Sequence, residues 1–123
     1  MAEFVYYNVN PLKIEEEDCV CRAITLASEL PYYTVCKLLE LSAEHNDCEK
    51  LCVNCYEHLL TEVLGYTIKL PKYSATIEEI VNRYPNNTLI LRINYHLTCA
   101  INGTIYDLWD CRDMLVDMFW IVK

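Results

Sequence analysis

The Asn102-Gly103 dipeptide constrains the fold most, because it lies between two segments in which apolar residues alternate with others. Both residues of a two-residue hairpin turn need positive φ, which asparagine and glycine tolerate best. The sequence therefore predicts an antiparallel hairpin with this turn at its tip. In the register that such a turn imposes, Cys99 faces Tyr106 across the two strands.

Three polar residues share one face of the predicted hairpin. Side chains alternate between the two faces along a strand, so His96, Thr98 and Asp107 lie on the same side. His96 and Asp107 are diagonal neighbours, about 7–8 Å apart at the backbone and within side-chain reach. A carboxylate that orients an imidazole is half of a nucleophilic triad, and the hairpin therefore predicts an acid/base pair.

Cys19 is the predicted nucleophile of this triad. It follows Asp18, a good N-cap, in the first turn of a helix expected over about 19–30. The unpaired N–H groups at the start of a helix lower the pKa of a thiol placed there. Cys21 is a rival, but it points about 200° around the helix from Cys19 and lies deeper in it. Cys19 is therefore the preferred candidate.

The charges that precede Cys19 work against its ionisation. Four consecutive acidic residues occupy positions 15–18, and nearby negative charge raises the pKa of a thiol. A protonated His96 in contact with the thiol would have to outweigh them. The sequence thus predicts an activated thiolate only if His96 and Cys19 form a contact pair.

The remaining pattern predicts an α+β fold. Residues 1–14 look irregular or extended, and helices are expected over about 19–30, 32–43, 48–64 and 77–83. Asn46 or Asp47 is expected to cap the third helix, and a capping box from Thr76 to Glu79 to open the fourth. Strands are expected over about 66–70, 88–94, 95–101, 104–109 and 115–122. N-terminal helices packed on a C-terminal antiparallel sheet are typical of α+β proteins.

The length and the net charge of the chain predict a single domain that does not bind nucleic acid. A chain of 123 residues predicts a single domain, 1–123, with a core of ordinary size. The net charge of −8, with only 10 scattered Lys and Arg, argues against a nucleic-acid partner, because neutralising phosphates needs a basic patch. With only two glycines, a glycine-rich phosphate loop is excluded.

The expected compartment follows from the N-terminus and from the hydropathy pattern. No apolar run approaches the roughly 20 residues that a membrane span needs, and residues 1–10 lack the features of a signal peptide. We therefore expect a cytoplasmic protein without a membrane partner. In that compartment the eight cysteines are expected to be thiols and not a disulfide framework.

A second group of potential ligands falls on the third predicted helix and consists of His45, Cys48, Cys52, Cys55 and His58. The cysteine spacing matches the iron–sulfur motif of radical SAM enzymes, but those enzymes need a much larger barrel and hold the motif in a loop. On one helix Cys48 and Cys55 are about 10 Å apart, too far for zinc–sulfur bonds of about 2.3 Å. We therefore predict no metal, and packing of one face against the core by Leu51, Cys52, Cys55, Leu59 and Val63. A metal site would need a ligand from a second element, such as Cys36.

The order of the candidate residues resembles that of papain-like cysteine peptidases. In the bacteriocin-processing branch an Asp-Cys pair opens the helix, as Asp18-Cys19 does here, and a strand His is followed by an Asp that ends the next strand, as His96 and Asp107 are. NlpC-type peptidases are a further likeness. The segments 18–24 and 96–111 also resemble a family of short proteins of phages and Gram-positive bacteria. This second likeness extends over nearly the whole chain.

The resemblance implies a papain-like fold and a small cysteine hydrolase. Cys19 would attack an amide, peptide or isopeptide carbonyl, His96 would be the acid/base, and Asp107 would orient the imidazole. A peptide or protein substrate is implied, and no cofactor. Deamidation and acyl transfer use the same constellation. The alternative is a catalytically silent papain-like binding module of a phage or mobile element, in which the triad is vestigial.

The chain departs from the papain-like pattern at two places. It contains no Gln, the usual oxyanion donor before the nucleophile, and Asp107 is followed by Leu108 where the bacteriocin-type enzymes have Pro. Asn10 or Asn8 is expected to replace the Gln, together with the N–H groups at the helix start, because an amide N–H serves a developing oxyanion. Trp109 is the candidate for lining the substrate cleft and shielding the His–Asp bond from water.

Overall fold

The chain forms an α+β fold, and the computed structural model describes residues 2–13, 18–47 and 52–123. Within these ranges six strands build one sheet: β1 (Glu3–Tyr6), β2 (Thr67–Lys69), β3 (Thr88–Ile93), β4 (His96–Ile101), β5 (Thr104–Asp107) and β6 (Met118–Ile121). Their order across the sheet is β1-β5-β4-β3-β6-β2. The α+β class is confirmed. The expectation of a purely antiparallel sheet is wrong, because β1 pairs with β5 in parallel.

The β4–β5 hairpin has the predicted turn and register. Asn102 and Gly103 have φ of 49° and 84°, and Cys99 pairs with Tyr106. Beyond β1, the N–H of Tyr7 donates to the carbonyl oxygen of Asp107 at 2.9 Å. The end of β5 that carries the predicted carboxylate is therefore held on both sides.

Four helices accompany the sheet in the described residues: α1 (Cys19–Ser28), α2 (Tyr32–Asn46), α3 (Val53–His58) and α4 (Ile77–Arg83). A π-helical segment, Leu59–Val63, continues α3. The predicted beginning of the third helix at 48 falls outside the described residues. The expectation that Asp47 caps that helix is wrong. Asp47 instead ends α2, with a φ of 51°, and donates its N–H to carbonyl oxygens of the last turn. A left-handed residue is a common helix terminator, which explains the correction.

The predicted capping box at the start of α4 is confirmed. The N–H of Glu79 donates to the Thr76 hydroxyl at 3.2 Å, and the N–H of Thr76 donates to the Glu79 carboxylate at 3.0 Å. These bonds satisfy two N–H groups that the helix cannot pair internally. The sequence signal at 76–79 therefore marks the helix start correctly.

The sheet carries a separate apolar core on each face. The α1-side core packs helices α1–α3 on the sheet and includes Val20, Ile24, Leu39, Leu59, Leu97 and Trp120. The α4-side core lies beneath α4 and includes Ile77, Ile80, Leu89, Leu91, Ala100 and Phe119. β4 contributes to both cores because its side chains alternate between faces. This double burial fixes the strand whose first residue is His96.

Among the residues that the structure describes, no helix is both long enough and apolar enough to cross a membrane. The longest, α2, has 15 residues, whereas a span requires about 20.

Candidate active site

His96 and Asp107 form a direct hydrogen bond at one end of the β4–β5 hairpin. The Nε2 atom of His96 lies 2.6 Å from Oδ2 of Asp107, and the two side chains are 14% and 3% exposed. The second carboxylate oxygen of Asp107 accepts the N–H of Leu108 at 2.7 Å. The carboxylate is therefore fixed in position, and its bond to Nε2 leaves Nδ1 of the imidazole for a second partner.

That second partner is Cys19, the first residue of α1. The thiol of Cys19 is partly exposed, forms a hydrogen bond with the His96 side chain and accepts the backbone N–H of Leu97. Leu97 follows His96 on β4, so one strand end supplies both contacts. The structure thus brings the three residues predicted from the sequence into one continuous chain, Cys19–His96–Asp107.

The three residues shift one another's pKa values toward an ion pair. Burial opposes ionisation of Cys19, but the hydrogen bonds from His96 and from the Leu97 N–H outweigh it and lower the thiol pKa. Burial likewise opposes charge on His96, yet its bonds to Asp107 and Cys19 raise the imidazole pKa to about 9. Burial would raise the pKa of Asp107, but His96 holds it below its usual range. The shifts of Cys19 and His96 both favour a thiolate beside an imidazolium.

Arg22 compensates the carboxylates around Cys19, a role that sequence reasoning missed. Its guanidinium forms a buried ion pair with Asp18 one turn earlier, and its Nη2 lies 3.7 Å from Oδ1 of Asp107. The positive charge also contributes to lowering the pKa of Cys19. Asp18 occupies the N-cap position without a side-chain cap bond. The i, i+4 spacing of Asp18 and Arg22 was the available signal.

The predicted effect of the acidic run on the thiol is settled only in part. Asp18 is neutralised by Arg22, so its charge does not act alone on Cys19. The other three acids, at 15–17, lie outside the described residues. The expected requirement for a contact between His96 and Cys19 is met by the hydrogen bond between them.

The expectation that Asn10 supplies the oxyanion donor needs correction. Asn10 is 1% exposed, and its amide nitrogen donates to Asp18 at 3.0 Å and to the Tyr32 hydroxyl at 3.4 Å. Both of its N–H bonds are thereby used within the protein. The alternative, Asn8, accepts the backbone N–H of Asn10 with its side-chain oxygen. The Asn10 amide therefore holds Asp18 in place, and the Asn8 side chain supports the backbone of Asn10.

Trp109 lies against the imidazole, where it was expected to shield the His–Asp bond, but it is not among the residues that line the cleft beside His96. Its ring centroid is 5.0 Å from that of His96, at an interplanar angle of 50°, and the side chain is 42% exposed. A partly exposed indole in this position covers one side of the imidazole. It can therefore limit the access of water to the His96–Asp107 bond.

The rival nucleophile Cys21 lies away from the imidazole. It is buried, and its sulfur is 3.4 Å from that of Cys36 on α2. Burial also raises the pKa of the Cys99 and Cys111 thiols, to about 12 for Cys111. The expectation that all cysteines are thiols is wrong for Cys55, which is disulfide-bonded. Among the free thiols described, Cys19 is the one hydrogen-bonded to a histidine.

The second predicted group does not converge on one point in the described residues. The rings of His45 and His58 stack at 5.1 Å, and Nδ1 of His58 lies 2.9 Å from the Ser42 hydroxyl. Cys48 is outside the described residues. Cys55 and Leu59 pack in the interior as predicted, but Val63 is half exposed, because the π-helical segment rotates it away from the core.

Three side chains at the triad carry atoms that could bind a metal ion. Atoms of His96, Asp107 and Cys111 lie within 4.8 Å of one another. Burial keeps Cys111 protonated, with a pKa of about 12, and metals bind the thiolate. The imidazole nitrogen that an ion would need is also hydrogen-bonded to Asp107. The arrangement suits proton transfer better than metal binding.

An open cleft of about 220 Å³ adjoins His96. Its walls include Val20, Tyr56, Arg92, Tyr95, His96 and Leu97. Sequence reasoning did not identify Arg92 or Tyr56 as site residues. The available signal was Arg92 itself, the one charged residue in the otherwise apolar run of β3.

Comparisons of the chain with protein-family models, with curated proteins and with solved structures gave no significant match. Function has therefore to be inferred from the geometry of Cys19, His96 and Asp107 and from the cleft beside them. Together they define a buried carboxylate, an imidazole and a helix-borne thiol in contact.

Proposed function

We propose that this protein is a small cysteine hydrolase of papain-like type that acts on an amide, peptide or isopeptide bond. The observation that carries the proposal is the continuous hydrogen-bonded chain from the Cys19 thiol through His96 to Asp107. A nucleophile, a base and a group that orients the base are the parts that acyl transfer requires.

In the proposed reaction the Cys19 thiolate attacks the substrate carbonyl carbon and forms a C–S bond. The carbonyl oxygen becomes an oxyanion, which the N–H groups at the start of α1 stabilise. His96 donates its proton to the leaving nitrogen as the C–N bond breaks, which leaves a thioester on Cys19. His96 then takes a proton from water, whose oxygen attacks the thioester, and the carboxylic acid product and the Cys19 thiol are released.

Each neighbouring group has a defined part in this scheme. Asp107 holds the imidazole in the orientation that presents Nδ1 to sulfur and stabilises the imidazolium. The cleft of about 220 Å³ that His96 lines would hold the substrate beside the imidazole. An open cleft over Cys19 is expected for the hydrolase and a capped or filled one for the silent binding module; the cleft found here is lined by His96 and by Val20, which follows Cys19 in the chain.

The papain-like assignment is supported by chain order and by placement. The cysteine opens the first helix, and the histidine and aspartate follow on consecutive strands of a later sheet. In addition, the sulfur and the carboxylate contact the same imidazole. The missing Gln leaves the helix-start N–H groups as the oxyanion donors that this chain offers.

The test is the pH dependence of iodoacetamide alkylation, measured for each cysteine by mass spectrometry. We expect Cys19 to react at pH 6 about 10- to 100-fold faster than Cys52, a partly exposed thiol on the same cleft, because only the thiolate reacts. In His96→Ala this advantage should disappear. In Asp107→Asn it should be reduced, since the imidazole remains but its proton is held less firmly.

Two results would contradict the proposal. One is a Cys19 that reacts no faster than Cys52 at pH 6 in a folded protein. The other is an advantage of Cys19 that survives His96→Ala, which would assign the activation to the helix start alone. Far-UV circular dichroism and the unfolding midpoint of each variant control for loss of the fold.

A further inference from the structure

We propose that the cleft beside His96 is a subsite for a carboxylate of the substrate, recognised by Arg92 and Tyr56. We call it the Arg92 cleft, and its described walls are Val20, Cys52, Val53, Tyr56, Arg92, Tyr95, His96 and Leu97. The inference deepens the proposed hydrolase function and rests on it. It specifies that the residue bound next to the scissile bond carries a negative charge.

The first support is the set of hydrogen-bond donors that converge on the cleft. Nε of Arg92 donates to the Tyr56 hydroxyl at 2.8 Å, so this oxygen is an acceptor in that bond and the hydroxyl keeps its own proton for donation. A guanidinium has five N–H donors in a planar fork. Besides the Tyr56 contact, Arg92 has a bond from Nη1 to Asp117 at 3.0 Å, and the side chain remains 19% exposed. Donors are therefore left for an incoming acceptor.

The second support is the charge of the walls. The protein as a whole carries −8, yet the residues described as lining this cleft include Arg92 and His96 and no carboxylate. Asp117 pairs with Arg92 from outside the lining and is half exposed, so it offsets the guanidinium charge only in part. An anion is accordingly better matched to the cleft than a cation or an apolar group.

The third support is the position of the cleft relative to the nucleophile. Leu97, a wall residue, donates its N–H to Cys19. Burial raises the pKa of Tyr56 to about 12 against the opposing effect of Arg92, and the charge of a Cys19 thiolate adds to the rise. The phenol therefore lies within electrostatic range of the sulfur. A substrate residue held by Tyr56 and Arg92 would place its neighbouring carbonyl near Cys19.

Tyr95 forms the outer rim of the cleft. It is 91% exposed, directly precedes His96, and has a φ of 63° in the tight β3–β4 turn. A bulky residue with positive φ is strained, and such strain concentrates at functional sites. With Val20 and Leu97 as the apolar walls, the cleft suits a short aliphatic stem that ends in a carboxylate.

The test compares pairs of alkylating probes that differ only in a carboxylate. For a side-chain carboxylate the pair is the chloromethyl ketones of N-acetylglutamate and N-acetylglutamine. For a chain-terminal carboxylate the pair is bromoacetyl-alanine and its amide. Alkylation of Cys19 in the full chain is followed by mass spectrometry at pH 7. We expect the charged member of one pair to react about tenfold faster than its amide, as a charge-assisted hydrogen bond provides.

Variants assign this preference to Arg92. In Arg92→Gln the ratio should fall to near one, and in Arg92→Lys part of it should return because the charge is restored. Asp117→Asn is the matched control, since it frees guanidinium N–H groups without changing a wall residue, and it should raise the ratio. The iodoacetamide rate and the unfolding midpoint show whether each variant keeps its fold and its reactive thiol.

The outcomes separate this proposal from the proposed function. A Cys19 that reacts rapidly with iodoacetamide, but equally with both members of each pair, overturns the subsite and leaves the hydrolase standing. A preference unchanged in Arg92→Gln also overturns it, because His96 alone would then attract the anion. A Cys19 that is slow with iodoacetamide and with all four probes overturns the hydrolase itself. The pair that shows the preference identifies a side-chain or a terminal carboxylate.

Discussion

The residues packed around Cys19, which we call the corner, and the α4-side core are both well buried. The corner contains charged side chains, whereas the core contains apolar ones. At the corner, Asp18, Arg22 and Asp107 are almost inaccessible to water, although all three carry charge. The α4-side core consists of side chains such as Ile77 and Ile80, which are fully buried and apolar. One region is held by a hydrogen-bonded charge network, and the other by packing alone.

The difference shows where this chain departs from what stability alone would select. Burying a charge is costly unless it is paired and hydrogen-bonded, and an apolar replacement is often as stable or more so. The corner meets that condition through Arg22, Tyr32 and Asn10, which surround Asp18. Local conflicts of this kind are expected where function requires them. Here the network sets the electrostatic environment of Cys19.

Removal of Arg22 should have the largest effect on stability. Arg22→Met leaves Asp18 and Asp107 without their buried cation, and we expect a loss of about 3–5 kcal/mol in the free energy of unfolding. Urea unfolding at pH 7 measures it. The control is Lys37→Met, because Lys37 and Glu40 form an exposed pair, whose loss should cost less than about 1 kcal/mol. Equal effects of the two substitutions would remove the distinction between the regions.

Truncation within the α4-side core should cost somewhat less and leave the site unaffected. Ile80 is buried, and Ile80→Ala should lower the free energy of unfolding by about 2–4 kcal/mol through lost burial and a cavity. The alkylation rate of Cys19 at pH 6, measured in the same preparation, should stay within about twofold of wild type. A large fall in that rate in the folded variant would show that the two regions are coupled.

The pH dependence of stability should reveal the contact between Cys19 and His96 through a partial cancellation of two opposing contributions. The raised pKa of His96 contributes stability that is present below about 6.5 and lost as the pH rises through about 9. The lowered pKa of Cys19 acts in the opposite direction, since the unfolded chain keeps the thiol proton up to its usual pKa. The lowered thiol pKa therefore offsets part of the loss caused by His96, and wild-type stability should fall less steeply above pH 6.5 than the stability of a variant without the thiol.

Cys19→Ser removes one side of that cancellation. His96 keeps its bond to Asp107, so the stability of the variant should fall with rising pH above 6.5, by up to about 1.4 kcal/mol per pH unit. Urea midpoints at pH 6.5, 7.5 and 8.5 are compared with those of wild type. A variant whose stability falls no more steeply than that of wild type would mean that the Cys19 thiol does not oppose the contribution of His96.

Loss of the α4 capping box should have the smallest effect. Thr76→Ala removes the acceptor for the Glu79 N–H and should lower the free energy of unfolding by about 1 kcal/mol. Thr76→Ser keeps the hydroxyl and should be nearly neutral. Neither variant should alter the reactivity of Cys19, and a change in it would contradict the independence of the α4 side.

The elements that were predicted correctly depend on local signals. Asn102-Gly103 fixed the turn and register of β4–β5, and Thr76 with Glu79 marked the start of α4, because both signals act within a few residues. β1 was not predicted as a strand, since its partner β5 lies almost at the other end of the chain. Asp47 was assigned to the wrong helix because a polar residue between two helices can end one or begin the next.

Sequence alone determined which residues meet at the triad. Alternation along two strands joined by a two-residue turn places His96 beside Asp107, and a helix start presents Cys19, so residue types and spacing suffice. Only the tertiary structure decided that Arg22 neutralises Asp18, that Asn10 is bound within the protein, and that the Arg92 cleft lies beside His96. Those outcomes depend on how α1, α2 and α3 pack on the sheet. Packing between distant segments sets burial and charge pairing, which local patterns do not encode.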